Sequence, residues 1–182
     1  MIATMAQYVA LLRGINVGGN CKVAMSDLKA LFLSLGMTNV GTYINSGNVI
    51  FESEQTDEPA LAKHLTTELG DHFGFPITCL VRSAKSIRAL VEAIPAEWQN
   101  GQVDRTDVLF LADAYRSQDS LTLIKSNPAV DELRYVDGAI VWHSDREHYS
   151  QSGLRKFIGT TLYKNMTARN VNTVRKLAAL LG

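Results

Sequence analysis

Residues 7–12, QYVALL, narrow the choice of fold most, because they read as a strand with apolar side chains on both faces. Such a strand needs cover on both sides, so it belongs in the middle of a sheet and between layers. The chain that follows supplies its neighbours. A helix is expected next, with Ser26 as N-cap, Leu28, Leu31, Phe32 and Leu35 on its buried stripe, and Gly36 ending it. The segments VGTYI and NVIFES then flank Asn45-Ser46-Gly47, a hairpin signal built from residues that tolerate positive φ. Asp57 and Pro59 open a second helix carrying Leu61, Leu65, Leu69 and Phe73, and PITCLVR (76–82) reads as a fourth strand.

That order, βαββαβ, is the ferredoxin-like arrangement, two helices on one face of an antiparallel sheet. The rest of the chain follows it in part. Ser83 is expected to cap a helix carrying Ile87, Leu90, Val91 and Ile94; DVLFLA (107–112) is a strand; a short helix is expected near 117–126. DELRYV and AIVWHS are joined by Asp137-Gly138, a two-residue hairpin turn, and helices are expected over 152–163 and about 171–181. The fold class expected is therefore α+β, two ferredoxin-like halves packed as one unit, with halves at 1–82 and 83–182. No repeat is visible in the sequence itself, so the duplication rests on element order. The segment 94–106 is the longest candidate linker, although Trp98 within it suggests packing.

Composition excludes several classes. Of the 182 residues, 46% are hydrophobic and 20% charged, the balance of an ordinary globular protein. The N-terminal stretch MIATMAQYVALL lacks a basic n-region, so no signal peptide is expected, and no apolar run is long enough to span a bilayer. Cys21 and Cys79 fit two reduced thiols and a cytoplasmic location. Charge is uneven: no acidic residue follows Glu147, whereas Arg155, Lys156, Lys164, Arg169, Arg175 and Lys176 do, so the last 35 residues carry +6 and the rest −6. A basic surface that meets an anion is one reading; a solvated helical face is the other.

Three stretches carry candidate sites. Gly14, Gly18 and Gly19 lie between Arg13 and Lys22, with Asn16 and Asn20 beside them. Gly14 and Gly19 have P-loop spacing, but Asn20 stands where lysine is required and Val23 where a hydroxyl is required, which excludes a nucleotide-hydrolysing P-loop. What remains is an anion-binding loop or a tight structural turn. In NMTARNVNTVRKL (165–177), Asn170 or Asn172 is expected to cap the last helix, putting Arg175 and Lys176 in its first turn and Arg169 just before it. Cations there oppose the helix dipole unless an anion joins them or acidic side chains neutralise them. WHSDREHYS gathers His143, Asp145, Glu147 and His148 in a spacing that matches no zinc pattern, and no metal is expected. Ser46 is not in a G-x-S-x-G elbow, and no catalytic triad can be assigned. RNA reading on the sheet face is disfavoured because NVIFES lacks the aromatic-and-basic consensus.

Together, ALLRGINVGGN, YINSGNVIF and TARNVNTVRKL resemble the bacterial family called domain of unknown function 1697, over about Tyr8 to Leu180. The resemblance implies a duplicated ferredoxin-like α+β arrangement and no particular activity. Its motif positions fall on Arg13, Gly14, Asn16, Gly18, Gly19, Ser46, Gly47, Asn48, Thr167, Arg169, Asn170 and Thr173, while Cys21, Ala168 and Val171 depart from the usual pattern.

The expected function is binding of a small phosphate-bearing or other anionic ligand. The ligand residues expected are Arg13, Gly14, Asn16, Gly18, Gly19, Ser46, Asn48, Thr167, Arg169, Asn170 and Arg175. No cofactor, metal or membrane is expected. The alternatives are a small-molecule enzyme using Ser46, Asn48 or His143, a structural or partner-binding module, and a weak nucleic-acid binder.

Overall fold

Eight strands and six helices follow one another in a computed structural model that describes residues 4–182. Residues 1–3, part of the stretch read for a signal peptide, lie outside the described residues. The chain divides into two units, residues 1–85 with 181–182 and residues 86–180.

In the first unit, β1 (Ala6–Arg13), β2 (Thr38–Tyr43), β3 (Asn48–Ser53) and β4 (Thr78–Ser83) form an antiparallel sheet in the order β2-β3-β1-β4. The first strand is central, and both of its faces are buried. Tyr8, Ala10 and Leu12 join the core beneath α1 (Met25–Ser34) and α2 (Glu58–Phe73), while Val9 and Leu11 are fully buried on the other face.

Local signals set the helix ends. Gly36, in the left-handed region, ends α1 in a Schellman motif: the Met37 amide donates to Phe32 O and the Gly36 amide to Leu33 O. Asp57 accepts from the Ala60 amide at the start of α2. One expected cap fails. The Asn16 side chain bonds both the amide and the carbonyl of Val23, so Ala24 becomes the N-cap and Ser26 falls inside α1. The β2–β3 turn is also longer than expected, four residues (44–47) closed by the Tyr43–Asn48 pair. Ile44 leaves the strand at φ 49°, a strained conformation for a β-branched side chain that costs about 1–3 kcal/mol.

In the second unit, β5 (Asp104–Leu111), β6 (Asp131–Val136), β7 (Ala139–Asp145) and β8 (Met166–Asn170) take the order β6-β7-β5-β8, the same topology. Its helices differ from expectation. The expected helix near 117–126 is two 3-10 turns, Asp113–Tyr115 and Gln118–Leu123. The expected helix over 152–163 breaks into α4 (Leu154–Phe157) and α5 (Thr161–Lys164), because Ile158 is extended, Gly159 turns at φ 91°, and Thr160 caps a new start. Asp137 and Gly138 form the expected two-residue turn with φ of 38° and 84°. The linker tryptophan packs: Trp98 is buried, stacks on His143 at 4.6 Å and carries the Arg134 guanidinium on its ring. Two further helices, α3 (Ala84–Ala93) and α6 (Val171–Leu180), directly follow β4 and β8, and α6 packs on β5 and β8.

Strand register exposes a repeat that the sequence hides. Val9 pairs with Ile50 and Arg82, and Val108 pairs with Val141 and Arg169. Matched this way, RSAKSIRAL (82–90) aligns with RNVNTVRKL (169–177), sharing both arginines and the final leucine. The turns match too: the Leu12 amide donates to Gly47 O, and the Leu111 amide donates to Gly138 O. The offset is 99 between Val9 and Val108, 91 between Ile50 and Val141, and 87 between Arg82 and Arg169. Loops of unequal length give the repeat no fixed period, which is why scanning for one fails.

Candidate functional site

The Gly-rich loop and the β2–β3 turn meet at one end of the first sheet. Gly14 turns the chain out of β1 at φ 81°, and Ile15 returns its side chain to the core. Val17 and Asn20 then pair as an isolated antiparallel bridge around Gly18 and Gly19, both left-handed at φ 60° and 79°. The loop is thus a miniature hairpin, the turn type that requires positive φ at both central residues. Asn16 anchors its base. The side chain donates to Val23 O and Asn45 O and accepts from the Val23 amide, at 2.9–3.0 Å, and the Asn16 amide donates to Cys21 O. One asparagine therefore ties the loop to itself and to the neighbouring turn.

That turn is braced in the same way. Asn48 is fully buried and donates to Tyr43 O and Ser46 Oγ, both at 3.0 Å. Gly47 lies so close to Leu12 and Ile15 that a Cβ there would come within 2.7 Å of Leu12 Cβ. Asn16, Ser46 and Asn48 thus have demonstrable work as scaffold. The outer surface of the loop is formed by Val17, Gly18, Gly19, Asn20, Cys21 and Lys22, all exposed, with Arg13 half-buried at its base.

The second candidate stretch lies in the other unit. Asn170 Oδ1 accepts from the Thr173 amide, so Asn170, not Asn172, caps α6. The helix consequently starts at Val171 and puts Arg175 and Lys176 in its second turn, a correction to the expected first-turn position. Arg169 is buried in β8 and donates to Thr167 Oγ1 and Ala168 O. Arg175 donates to Pro95 O and Gln99 Oε1, and Asn172 to Asn100 O. These polar side chains clamp the 95–100 segment onto the last helix.

His143 does not join Asp145, Glu147 and His148. Its Nδ1 lies 2.8 Å from Thr106 Oγ1, whereas Asp145 and His148 bond each other at 3.0 Å on the surface. The His148 hydrogen bond and that of the Glu147 amide hold the Asp145 carboxyl below the usual carboxylate range. The same bond to Asp145 raises the His148 imidazole. Ligand atoms of Asp145, Glu147 and His148 come within 4.8 Å of one another, and all three are solvated.

Sequence reasoning missed two clusters in the second unit. Asp131 accepts from the Trp142 indole at 3.0 Å, the Ser152 hydroxyl at 2.6 Å, and the amides of Gly153 and Asn127 at 2.8 Å. Burial pushes its carboxyl up, but these hydrogen bonds outweigh that and hold it below the ordinary value. Arg105 bonds Asp107 at 2.6 Å and the Tyr149 hydroxyl at 2.8 Å. The alternating Arg105-Thr106-Asp107 was the available signal, since it puts two opposite charges on the strand face that continues with Leu109 and Leu111.

A family model described as "Protein of unknown function (DUF1697)" matches residues 5–142, which takes in the first two motif stretches and leaves the third outside the matched region. Among solved structures, a conserved bacterial protein from Streptococcus pneumoniae is similar, with 31% sequence identity and a TM-score of 0.83 over 98% of this chain and 100% of that one. No curated protein matches. Among the described residues, no helix is long and apolar enough to cross a membrane.

Proposed function

We propose that this chain, which belongs to the DUF1697 family, binds a small phosphate-bearing or other anionic ligand at the Gly-rich loop of its first unit. One observation carries the reading: a rigid miniature hairpin, anchored by Asn16, presents two left-handed glycines between Arg13 and Lys22. Adjacent backbone amides in such turns suit an anion, and a pre-set loop binds without a large ordering cost. Asn16, Ser46 and Asn48 act in this reading by holding the frame. Thr167, Arg169, Asn170 and Arg175 lie in the second unit, and this reading rests on the loop alone. The chain acts as a binder, and it works in the reducing cytoplasm, a reading supported by the two free thiols Cys21 and Cys79.

A thermal-shift series with inorganic phosphate, nucleotides and sugar phosphates tests this. A ligand at 100 times its dissociation constant stabilises by about 2.7 kcal/mol. The expected result is stabilisation that saturates at one ligand per chain and is lost in Lys22→Ala. Silence across the series overturns the reading. Duplex DNA binding with a log–log salt slope steeper than about −3 also overturns it, in favour of nucleic acid.

A second reading has its own support. Val17 at the loop tip is 70% exposed and Ile44 in the adjoining turn 49%. Two apolar side chains on one braced end suit a protein partner. Under that reading, Val17→Asp abolishes partner capture while phosphate has no effect on thermal stability.

A further inference from the structure

The duplication points to a second site. In the first unit, Tyr8 and Ala10 of β1 and Cys79 and Val81 of β4 share one sheet face and belong to the core with Leu61, Leu65 and Leu69 of α2, and the partly buried Ala6 packs against it. Register matches Tyr8 to Asp107, Ala6 to Arg105, Ala10 to Leu109 and Val81 to Ala168. The second unit differs on this face in two ways. The 16-residue helix is replaced by two four-residue helices broken at Gly159. Two core positions have become an ion pair, Arg105–Asp107, whose side chains are 34% and 13% exposed.

Broken cover leaves a cavity of about 180 Å³ between β5, β8 and the α4–α5 segment. Leu109, Leu154, Phe157, Tyr163 and Met166 supply its apolar wall, and Arg105, Asp107 and Tyr149 its polar end. That volume is close to the roughly 150 Å³ of an engineered cavity that takes one benzene ring. The polar end is balanced: Arg105 bonds Asp107, donates to the Tyr149 hydroxyl, and stands 4.9 Å from the centre of the Tyr149 ring. A charged head group would meet an opposing charge along with its partner. A neutral group that both donates and accepts has a partner for each role.

We infer that this cavity is a binding site for a small uncharged molecule with one aromatic ring and a head group that both donates and accepts hydrogen bonds, such as a carboxamide. The ring lies against Phe157, Tyr163 and Met166; the head accepts from Arg105 and donates to Asp107. The site is independent of the Gly-rich loop, and the two can be tested apart.

The experiment is a titration of the full chain with benzamide and benzoate, followed by calorimetry and by the NMR signal of the Met166 methyl group. Benzamide should bind saturably, one per chain, move the Met166 signal, and bind about tenfold tighter than benzoate. Ala168→Phe projects a ring from the exposed wall residue into the cavity and should weaken benzamide about tenfold or more. Asp107→Asn leaves Arg105 without its counter-charge and should narrow or invert the preference over benzoate. No saturable benzamide binding, an unmoved Met166 signal, or a wild-type preference for benzoate overturns the assignment. So does a folded Ala168→Phe variant that binds as the wild type does. The Met166 signal is read on the unmodified chain, so a variant that fails to fold leaves the test intact.

Discussion

The two halves share a topology and a turn but solve the cover of their sheets differently. The first half lays helices of 10 and 16 residues over one face and fills the space with apolar side chains, among them Phe32, Phe51 and Leu65. The second half has only 3-10 turns and four-residue helices in the same places. Each short helix buries one large side chain, Phe157 on α4 and Leu162 on α5, into a smaller apolar core. Beside that core Asp131 ties strand β6 to Trp142 on β7 and to Ser152 and Gly153 before α4, so that one carboxylate fixes three segments. The difference teaches that a ferredoxin-like sheet can be closed by apolar area alone or by a smaller apolar core, Trp142, Phe157 and Leu162 among it, tied together by a satisfied polar hub. In the second arrangement the cover is incomplete and a cavity remains.

Asp131→Ala is the severest way to break the comparison. It leaves four donors without their acceptor, a loss of about 3–4 kcal/mol by urea unfolding. A loss below about 1 kcal/mol would mean that the hub does not reinforce the smaller core. The pH dependence has a definite sign. The folded carboxyl lies below its unfolded value of about 3.9, so its contribution is present above that pH and is lost as pH falls through the folded value. Asp131→Asn should therefore flatten the acid limb of stability.

Matched glycines sharpen the comparison next. At Gly47, alanine meets both positive φ and the Leu12 and Ile15 side chains, giving about 2–4 kcal/mol of destabilisation. At Gly138 the φ is the same 84°, but the neighbours are Nε, Cδ and Cγ of the single, flexible Arg116 side chain, which can move, leaving about 1–2 kcal/mol. Equal losses in denaturant unfolding would show that the two turns are packed alike.

Asn16→Ala removes three hydrogen bonds from a half-buried site and should cost about 1–2 kcal/mol. Amide exchange should rise in residues 16–23 and in the 44–47 turn together, since one side chain joins them. Acceleration in the loop alone would show that the Asn45 contact carries no coupling. The smallest effect is at His148, whose NMR titration midpoint should lie above the usual imidazole value and return to it in Asp145→Ala. The stabilisation involved is present below the unfolded imidazole value and fades as pH rises through the folded one. An unchanged midpoint in the variant would break the assignment.

Where local chemistry decides, the sequence was a sound guide. Gly36 ended α1, Asp57 began α2, Asp137-Gly138 turned the second hairpin, and QYVALL became a central strand buried on both faces. Each outcome depends on residues within a few positions of one another, or on an alternation that any strand must show. The candidate site was legible only as composition. Glycines and asparagines in 13–23 marked a turn-rich loop, but not that Asn16 would bond Asn45, which is 29 residues away. Ser26 lost its cap role because the Asn16 side chain holds Val23. Arg175 lost its place in the first turn because Asn170, the earlier of the two expected caps, starts the helix. The break in 152–163 was hidden because its apolar spacing suits one helix as well as two.

What the sequence by itself determined is the order of seven of the eight strands and of the long helices, and hence the paired ferredoxin-like plan, since hydrophobic period and turn residues act locally. The strand β8 and the broken helices of the second half were not legible in it. Only the tertiary structure decided the residue-level repeat, the Asp131 hub and the cavity beside Arg105 and Asp107. The repeat needs strand register to be seen, because unequal loops destroy its period. The hub joins residues 127, 131, 142, 152 and 153, which no local rule connects. The cavity is a property of cover that is missing, and missing cover exists only once the layers have been packed.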